Sequence, residues 1–157
     1  MSGQWSQRLA ELGIELPAVV QPVGSYTPAL RVGDLVYTSG QIPVAGGEIT
    51  VTGKVSDGAE GIVAPERAQE AARLCALNAL AAVHAEVGID SVVRVVKVVG
   101  FVASAPGFTG QSGVINGASD FLGEVFGDAG VHARSAVGVA ELPLGVPVEV
   151  EIVVQVN

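Results

Sequence analysis

The chain has 157 residues, of which 49% are hydrophobic, so it is long enough for one domain with a substantial core and too short for two. Sixteen acidic residues against eight basic ones give a net charge of −8, and no run of Lys or Arg offers a surface for phosphates. The sequence therefore argues against a nucleic-acid partner.

The cysteine and histidine residues argue against a disulfide and a metal site. Cys75 has no second cysteine with which to form an internal disulfide, which is typical of a reducing compartment. Cys75, His84 and His132 stand alone in the sequence, without the spacing of metal ligands. We expect no metal, and we expect Cys75 to be a core side chain because nothing near it in the sequence would lower its pKa.

The N-terminus and the hydropathy pattern predict a cytoplasmic protein. Residues 1–13 lack the basic start and apolar run of a signal peptide, and no uncharged apolar run reaches the roughly 18 residues of a membrane span. We therefore expect no membrane partner. The positive mean hydropathy is unusual for a small monomer, which indicates that other copies of the chain cover part of its surface.

The first elements predicted along the chain are a short helix and a β-hairpin. Residues 4–12 have a helical apolar pattern and form the helix of an N-terminal extension over residues 1–21. Tyr26 and Thr27 begin a strand, and residues 31–34 form the turn before a second strand at 35–39. A further turn at Gly46 and Gly47 leads into a short strand at 48–52.

Two helices and a long strand follow. Pro65 is suited to the first position of a helix that extends to Gly88. Residues 92–104 are largely apolar, which predicts a long central strand covered on both faces. A second helical pattern spans residues 111–126 and stops at Gly127.

The last part of the chain has the pattern of two strands around a Pro/Gly turn. Apolar residues alternate with Glu149, Glu151 and Gln155 between positions 146 and 156, and a four-residue loop at 143–146 would join this strand to the one containing Arg134. Helices too few to cover both sides of a sheet indicate an α+β sandwich with a mixed sheet and both main helices on one face. The whole chain, residues 1–157, is a single domain.

The polar residues of this hairpin are candidates for a ligand site. The four-residue loop places Arg134, Glu149 and Glu151 on the face away from the helices, but it leaves Arg134 roughly 20 Å from Glu149 along the strands. If both bind one small molecule, either a bulge shortens this path or the two residues come from different subunits, which we favour. Intersubunit salt bridges are the alternative.

Several motifs resemble those of the RidA (YjgF-type) family of imine deaminases, also labelled endoribonuclease L-PSP. They are YTSGQIP at 37–43, Asn116 in the second helix, and the series ARS at 133–135, LP at 142–143 and VEVE at 148–151. The similarity extends over residues 22–156. It implies a chorismate-mutase-like fold and a homotrimer with ligand sites in the clefts between subunits.

The resemblance also implies roles for individual residues. Arg134 would bind the substrate carboxylate, and Glu149 would position or activate water and assist the departure of ammonia. The positions that match the lining of the family's pocket are Tyr26, Ser39, Gly40, Asn116 and Ala136. Ala136 stands where the best-known branch carries Cys, and the N-terminal extension is a second departure, so the chain belongs to a divergent subgroup by this resemblance.

Asn116 and His132 each have a simpler interpretation. The helical spacing alone predicts that Asn116 is a solvated residue. His132, two residues before Arg134 and on its face, either extends the site or has a structural role.

The resulting hypothesis is hydrolytic deamination of enamines and imines of the 2-aminoacrylate type to 2-keto acids and ammonia, with no cofactor, because an iminium carbon is already electrophilic. The alternatives are a non-catalytic protein that binds small carboxylates and an endoribonuclease. The acidic balance and the few aromatic residues weigh against RNA. The sequence does not indicate which substrate side chain is preferred.

Overall fold

The computed structural model describes residues 3–58 and 62–157, so Met1 and Ser2 of the predicted extension lie outside the described residues. Helices α2 and α3 lie on one face of a five-stranded mixed sheet, as predicted for an α+β fold. The helices are α1 (Gln4–Glu11), α2 (Pro65–Val87) and α3 (Gln111–Phe126), and the strands are β1 (Ala29–Val32), β2 (Leu35–Thr38), β3 (Val44–Ala45), β4 (Glu48–Ile49), β5 (Val92–Ala103), β6 (Ala133–Val139) and β7 (Val148–Val156).

The bounds of the two long helices follow from local sequence and confirm the prediction. Pro65 occupies the first turn of α2, and Gly88 ends this helix with a φ of 81°. Gly127 ends α3 with a φ of 57°. Both helices bury Ala-rich or large apolar faces against the sheet, with Leu80, Ile115 and Phe121 fully buried in the core. Of the helices in residues 3–58 and 62–157, none is both long enough and apolar enough to cross a membrane.

The order of strands in the sheet is β1-β2-β7-β5-β6. Strand β5 pairs with β7 in antiparallel orientation and with β6 in parallel orientation. The predicted hairpin between the last two strands is therefore wrong. Because β6 follows β5 through helix α3, it joins the sheet as a parallel crossover on the far side of β5, and the chain then returns through residues 140–147 to β7.

The first hairpin is confirmed with shorter strands than predicted. The first strand begins at Ala29 rather than at Tyr26 and Thr27, because Pro28 has no N–H with which to extend the ladder. The turn is formed by Gly33 and Asp34 alone. The predicted strand at 48–52 is reduced to β4, which pairs with β3 in a separate two-stranded sheet.

Strand β5 is covered by helices on one face only, contrary to the prediction of cover on both faces. Val95, Val98 and Val102 are fully buried beneath the helices. On the other side, Val93 and Val96 are 45% and 37% exposed. The described chain has no helix on this side, so an apolar sheet face remains uncovered within one chain.

Helix α1 is held on the domain by the carboxylate of Asp90. This side chain accepts hydrogen bonds from the backbone N–H groups of Gly3, Trp5 and Ser6 and from the Ser6 hydroxyl. Partial desolvation opposes ionisation, but these four hydrogen bonds outweigh it and hold the pKa of Asp90 below its ordinary value of 3.8. Asp90 therefore caps the start of a helix that lies far from it in sequence.

The indole of Trp5 provides a second contact between α1 and the domain. Its Nε1 donates to the Val92 carbonyl at 2.7 Å, and its ring packs edge-on against Phe126 at 4.9 Å.

We predict that Asp90→Ala lowers the free energy of unfolding by about 1 kcal/mol, the usual loss for a helix cap, measured by urea denaturation at pH 7. Because the pKa of Asp90 is lowered in the folded state, its contribution is fully present above pH 3.8 and is lost as the pH falls through the folded pKa. The difference between the variant and the wild type should thus shrink in acid. Asp120→Ala, an exposed position on α3, is the control, and equal effects of the two changes at pH 7 would contradict the capping role.

Candidate functional site

A cavity of about 450 Å³ opens between the first hairpin, the strand β7 and the segment at 20–23. Four of the predicted site residues line it: Tyr26, Ser39, Gly40 and Glu149. Most of the other lining side chains are apolar. This volume is in the range of small-ligand sites, so the cavity is the candidate for one half of the functional site.

A bulge at the end of β2 makes this cavity. Tyr37 lies opposite Val153, whereas Gln41 pairs with Val150, so the β2 side contains one residue more than the β7 side. The Thr38 hydroxyl accepts the N–H of Ile152 at 3.0 Å, which satisfies the ladder at the bulge. The extra length displaces the chain between Thr38 and Gln41 and makes room beside β7.

Gly40 is required in this bulge because it lies directly against the side chain of Glu149. A Cβ atom at position 40 would be 2.7 Å from both the Cδ and Oε1 atoms of Glu149. Such a contact is too short for any side chain, so residues other than glycine would displace the carboxylate. The position of Glu149 and the absence of a side chain at Gly40 therefore depend on each other.

Tyr26 and Ser39 are anchored by backbone groups at the edge of the cavity. The Ser39 hydroxyl donates to the Thr27 carbonyl at 2.6 Å, and its N–H donates to the Pro28 carbonyl at 2.8 Å. The Tyr26 hydroxyl accepts the N–H of Val23 at 3.3 Å while its ring remains half exposed. Both side chains are thus fixed within the cavity wall before any ligand binds.

Glu149 and Glu151 point from alternate positions of β7 into the same cavity. The pKa of Glu149 is raised above its ordinary value of 4.5, first by burial and second by the negative charge of Glu151. A half-buried carboxylate of this kind is a stronger base than a solvated one, and its pKa lies nearer to neutral pH. This makes Glu149 the candidate general acid or base.

Cys75 lies beneath this strand and is not a candidate nucleophile. Its side chain is completely buried, and its Sγ is 3.9 Å from the Val148 carbonyl. Burial raises the pKa of the Cys75 thiol strongly, and the nearby carboxylate of Glu149 raises it further. The thiol therefore stays protonated, in agreement with the prediction of a core residue.

Arg134 lies on the helix side of the sheet, so the prediction that it shares a face with Glu149 and Glu151 is wrong. Its Nη1 donates to Asn116 Oδ1 at 2.8 Å and to the Ser119 hydroxyl at 3.1 Å, and its Nη2 donates to the Ser112 carbonyl at 3.3 Å. The prediction of a shared face depended on the pairing of β6 with β7 in a hairpin, and these strands do not pair. Asn116 is accordingly a partner of Arg134 and not only a solvated helix residue.

Ala136 belongs to the same part of the molecule as Arg134. It lies opposite Gly100 of β5 and packs partly buried against the core. A Cβ atom on Gly100 would be 2.5 Å from the side chain of Ile115, so α3 approaches the sheet closely here. Arg134, Asn116 and Ala136 thus form a second group of predicted site residues, at the β6 edge of the sheet.

The two groups do not meet within one chain. Arg134 lies opposite Val98 and Ile152, three residues and two strands away from Glu149. At about 3.3 Å per residue and about 4.8 Å per strand, the two Cα atoms are roughly 14 Å apart, with side chains on opposite faces. One chain therefore does not place both side chains on one small ligand. The reason is the intervening strand β5 and the opposite faces, and not the distance along a β6–β7 hairpin that the sequence predicted.

The wall of the cavity also contains residues that were not among the predicted site residues. Gln41 is buried, and its Nε2 donates to the Ser39 carbonyl at 3.2 Å, which stabilises the bulge. Residues 20–23, at the junction between the N-terminal extension and the rest of the domain, close one side. Leu144 closes another, with an uncommon φ of 60° in the loop before β7. Of these residues, Gln41 alone could have been found from the sequence, because it directly follows Ser39 and Gly40 in the motif YTSGQIP.

A second cavity of about 580 Å³ continues from the first and shares five lining residues with it. Asn78 of α2 lies at its wall, where its Nδ2 donates to the carbonyls of Ile42 and Val44 at 3.0 Å each. The remaining lining is mainly apolar. Within residues 3–58 and 62–157 there is no cluster of three His, Cys, Asp or Glu side chains that could hold a metal ion.

Sequence comparison identifies relatives over nearly the whole chain. The family model described as endoribonuclease L-PSP matches residues 17–156. Protein TCP17 of Trypanosoma cruzi is 44% identical over 158 residues, which cover 99% of this chain and 96% of that protein. A protein of Dermatophagoides farinae named 2-iminobutanoate/2-iminopropanoate deaminase is 36% identical over 146 residues, which cover 92% and 95% of the two chains.

Solved structures agree in fold. The protein Atu1372 of Agrobacterium tumefaciens, of unknown function, is 43% identical with a TM-score of 0.87, over 98% of this chain and 92% of that one. TdcF of E. coli, solved with bound serine, is 27% identical with a TM-score of 0.62, over 88% and 94% of the two chains. A small ligand is therefore bound by one protein of this fold.

We predict that Glu151→Gln lowers the pKa of Glu149, because it removes the neighbouring negative charge, yet leaves it above 4.5 because burial is the larger cause. Carbon-detected NMR titration of the glutamate carboxyl groups measures this shift. Glu86→Gln, in the last turn of α2 and outside the cavity, is the control. A pKa of Glu149 that does not respond to Glu151→Gln would show that the two carboxylates are uncoupled.

Proposed function

The chain belongs to the endoribonuclease L-PSP family, also called the YjgF or RidA family, and from this premise we propose that it hydrolyses reactive enamines and imines to 2-keto acids and ammonia. The observation that carries the proposal is the half-buried Glu149, with its raised pKa, in a small and largely apolar cavity. The deaminase name of one relative at 36% identity supports the same reaction.

In the proposed mechanism Glu149 moves protons and the imine supplies the electrophile. The carboxylate of Glu149 takes a proton from a water molecule as the water oxygen bonds to the C=N carbon. The imine reacts in its nitrogen-protonated form, so the C=N electron pair moves to nitrogen and a neutral carbinolamine forms. The Glu149 carboxyl group then delivers its proton to this nitrogen, and the C–N bond breaks as ammonia leaves with the bonding electron pair. The C=O bond forms as the hydroxyl group loses its proton to the Glu149 carboxylate. A raised pKa suits both steps because it makes the carboxylate a stronger base towards water and brings its pKa nearer to the working pH, so that both protonation states are accessible. The reaction is a hydrolysis, in which no oxidation state changes.

We propose that Arg134 of a second copy binds the substrate carboxylate. An arginine fork binds a carboxylate in a bidentate manner, and the Arg134 group of residues lies at the edge of the sheet, where a neighbouring copy can reach it. The uncovered apolar sheet face supports assembly through this side of the molecule. The proposed assembly is the family's homotrimer, with three sites between subunits.

Binding without turnover is the second candidate function. It is favoured by the serine seen in TdcF, since the same cavity would hold a small carboxylate whether or not it reacts. RNA cleavage, which the family label names, is less favoured. The net charge of −8 would repel a polyanion, and the cavity contains two carboxylates and no basic side chain among its lining residues.

We predict that Arg134→Ala lowers kcat/KM for freshly generated 2-aminoacrylate by at least about 100-fold, because the carboxylate loses a charged bidentate partner.

Glu149→Gln should lower kcat by roughly 100-fold or more, the size of a lost general acid or base. Release of keto acid is followed for imines derived from several amino acids. Arg67→Ala, which removes an exposed pair with Glu70 and a hydrogen bond to the Thr50 carbonyl outside the cavity, should match the wild type.

The oligomer is measured on the same samples by light scattering. Loss of activity with an unchanged oligomer supports a role in the site. Unchanged turnover of every imine by Arg134→Ala would overturn the deaminase proposal. Saturable binding of a 2-keto acid by a wild type that does not deaminate would instead favour the binding protein.

We predict that Gly40→Ala lowers kcat by roughly 100-fold although it adds a single methyl group. The new Cβ would push the Glu149 carboxylate away, and a displacement of about 1 Å is enough for a loss of this size. Gly123→Ala is the matched control, because no atom lies within 4 Å of its Cβ position on α3. Full activity of Gly40→Ala would show that Glu149 need not occupy its observed position.

A further inference from the structure

Arg134 is one end of a chain of hydrogen bonds that leads through α3 to the segment before β6. Its Nη1 donates to the Ser119 hydroxyl at 3.1 Å. Ser119 Oγ in turn lies 2.9 Å from Nε2 of His132, and Nδ1 of His132 lies 2.6 Å from the Gly130 carbonyl. The side chains of Arg134, Ser119 and His132 are partly buried, so these hydrogen bonds are sheltered from bulk water.

The hydrogen atoms in this chain can be assigned from its two ends. The Gly130 carbonyl only accepts, so Nδ1 of His132 carries a proton, and in the neutral form of the ring Nε2 is then an acceptor. The Ser119 hydroxyl therefore donates its one hydrogen to His132. Its lone pairs are left to accept from Arg134, which only donates. Every group has the role that its neighbour requires.

The same contacts determine which edge of the guanidinium can take a ligand. Both hydrogens of Nη1 are engaged, by Asn116 and Ser119, and Nη2 directs one at the Ser112 carbonyl. Contacts within the described part of the chain thus leave Nε–H and one hydrogen of Nη2. Nε and Nη2 are neighbouring donors, and this edge of a guanidinium can bind a carboxylate in a bidentate manner.

We propose that Ser119 and His132 are positioning residues that fix the orientation of the Arg134 guanidinium for a carboxylate ligand. Neither touches the reacting atoms. They act because a long side chain held in one orientation loses less freedom when the carboxylate binds. This inference rests on the proposed function, in which Arg134 receives the substrate carboxylate, and it gives His132 a role in the site rather than a purely structural one.

The effect should fall on binding and not on the chemical step. Ser119→Ala removes the acceptor for Arg134, and His132→Leu removes the acceptor that orients Ser119. Each change should raise KM about three- to tenfold, the size of one net hydrogen bond, with kcat within about twofold of the wild type. The double variant should have a KM no higher than that of the more affected single variant, because both residues act through the same series of hydrogen bonds.

Conservative variants separate positioning from general damage to the fold. Ser119→Thr keeps the hydroxyl, and His132→Gln keeps an acceptor for it, so both should restore KM to within about twofold of the wild type. Ser56→Ala, which removes a hydroxyl from the loop before α2, is the control. In an Arg134→Ala background, Ser119→Ala should cause no further loss.

A spectroscopic measurement tests the inference separately from the proposed activity. In the wild type, the ¹⁵N-labelled side chain of Arg134 should give resolved NMR signals of restricted rotation, and these should broaden in Ser119→Ala and His132→Leu but not in Ser119→Thr. If the wild type fails to deaminate while this pattern holds, the proposed function fails and the positioning role stands. Unchanged KM and unchanged Arg134 signals in Ser119→Ala would overturn the positioning role.

Discussion

The pairing of β5 between β6 and β7 is the constraint on which the candidate site depends. Val98 stands between Arg134 and Ile152, so the strand with the arginine and the strand with the glutamates cannot be neighbours. The crossover that creates this order passes through α3, and the same helix supplies Asn116 and Ser119 to the guanidinium. One topological feature thus separates Arg134 from Glu149 and also provides the polar partners that Arg134 needs on the helix side, where a lone charge would be costly.

The glutamate half of the site depends on a local irregularity rather than on topology. A regular β2–β7 ladder would bring the backbone of residues 39 and 40 against β7 and leave no cavity there. The additional residue in the bulge opens that space, and Gly40 permits the carboxylate to enter it. The resulting burial raises the pKa of Glu149, so the irregular backbone, the missing side chain and the altered proton affinity have one origin.

Local patterns in the sequence were sufficient for the two long helices, but not for the arrangement of the residues that the resemblance assigns to the site. The bounds of α2 and α3 depend on Pro65, Gly88 and Gly127, which act within a single turn. The partner of β6 depends instead on a strand more than thirty residues earlier in the chain, and a Pro/Gly loop looks the same whether it closes a hairpin or not. Because the predicted hairpin was wrong, Arg134 was also predicted on the wrong face of the sheet. Helical spacing alone predicted that its partner Asn116 is a solvated residue, and only the resemblance assigned Asn116 to the site. Ser119 had no signal in the sequence.

A site divided between two copies of a chain requires each half to be ordered before the halves meet. In the proposed site, Arg134 of one copy would have no covalent link to Glu149 of another, so any freedom left in either side chain would be lost when the copies and the ligand come together. The contacts within one chain reduce that freedom on both sides: the bulge and Gly40 confine Glu149, and α3 confines Arg134. In the proposed assembly, the exposed Val93 and Val96 would provide apolar area for the association itself. In the proposed trimer, therefore, assembly would bring together two halves that are already formed, and the energy of burying the open sheet face would not have to be spent on ordering the site.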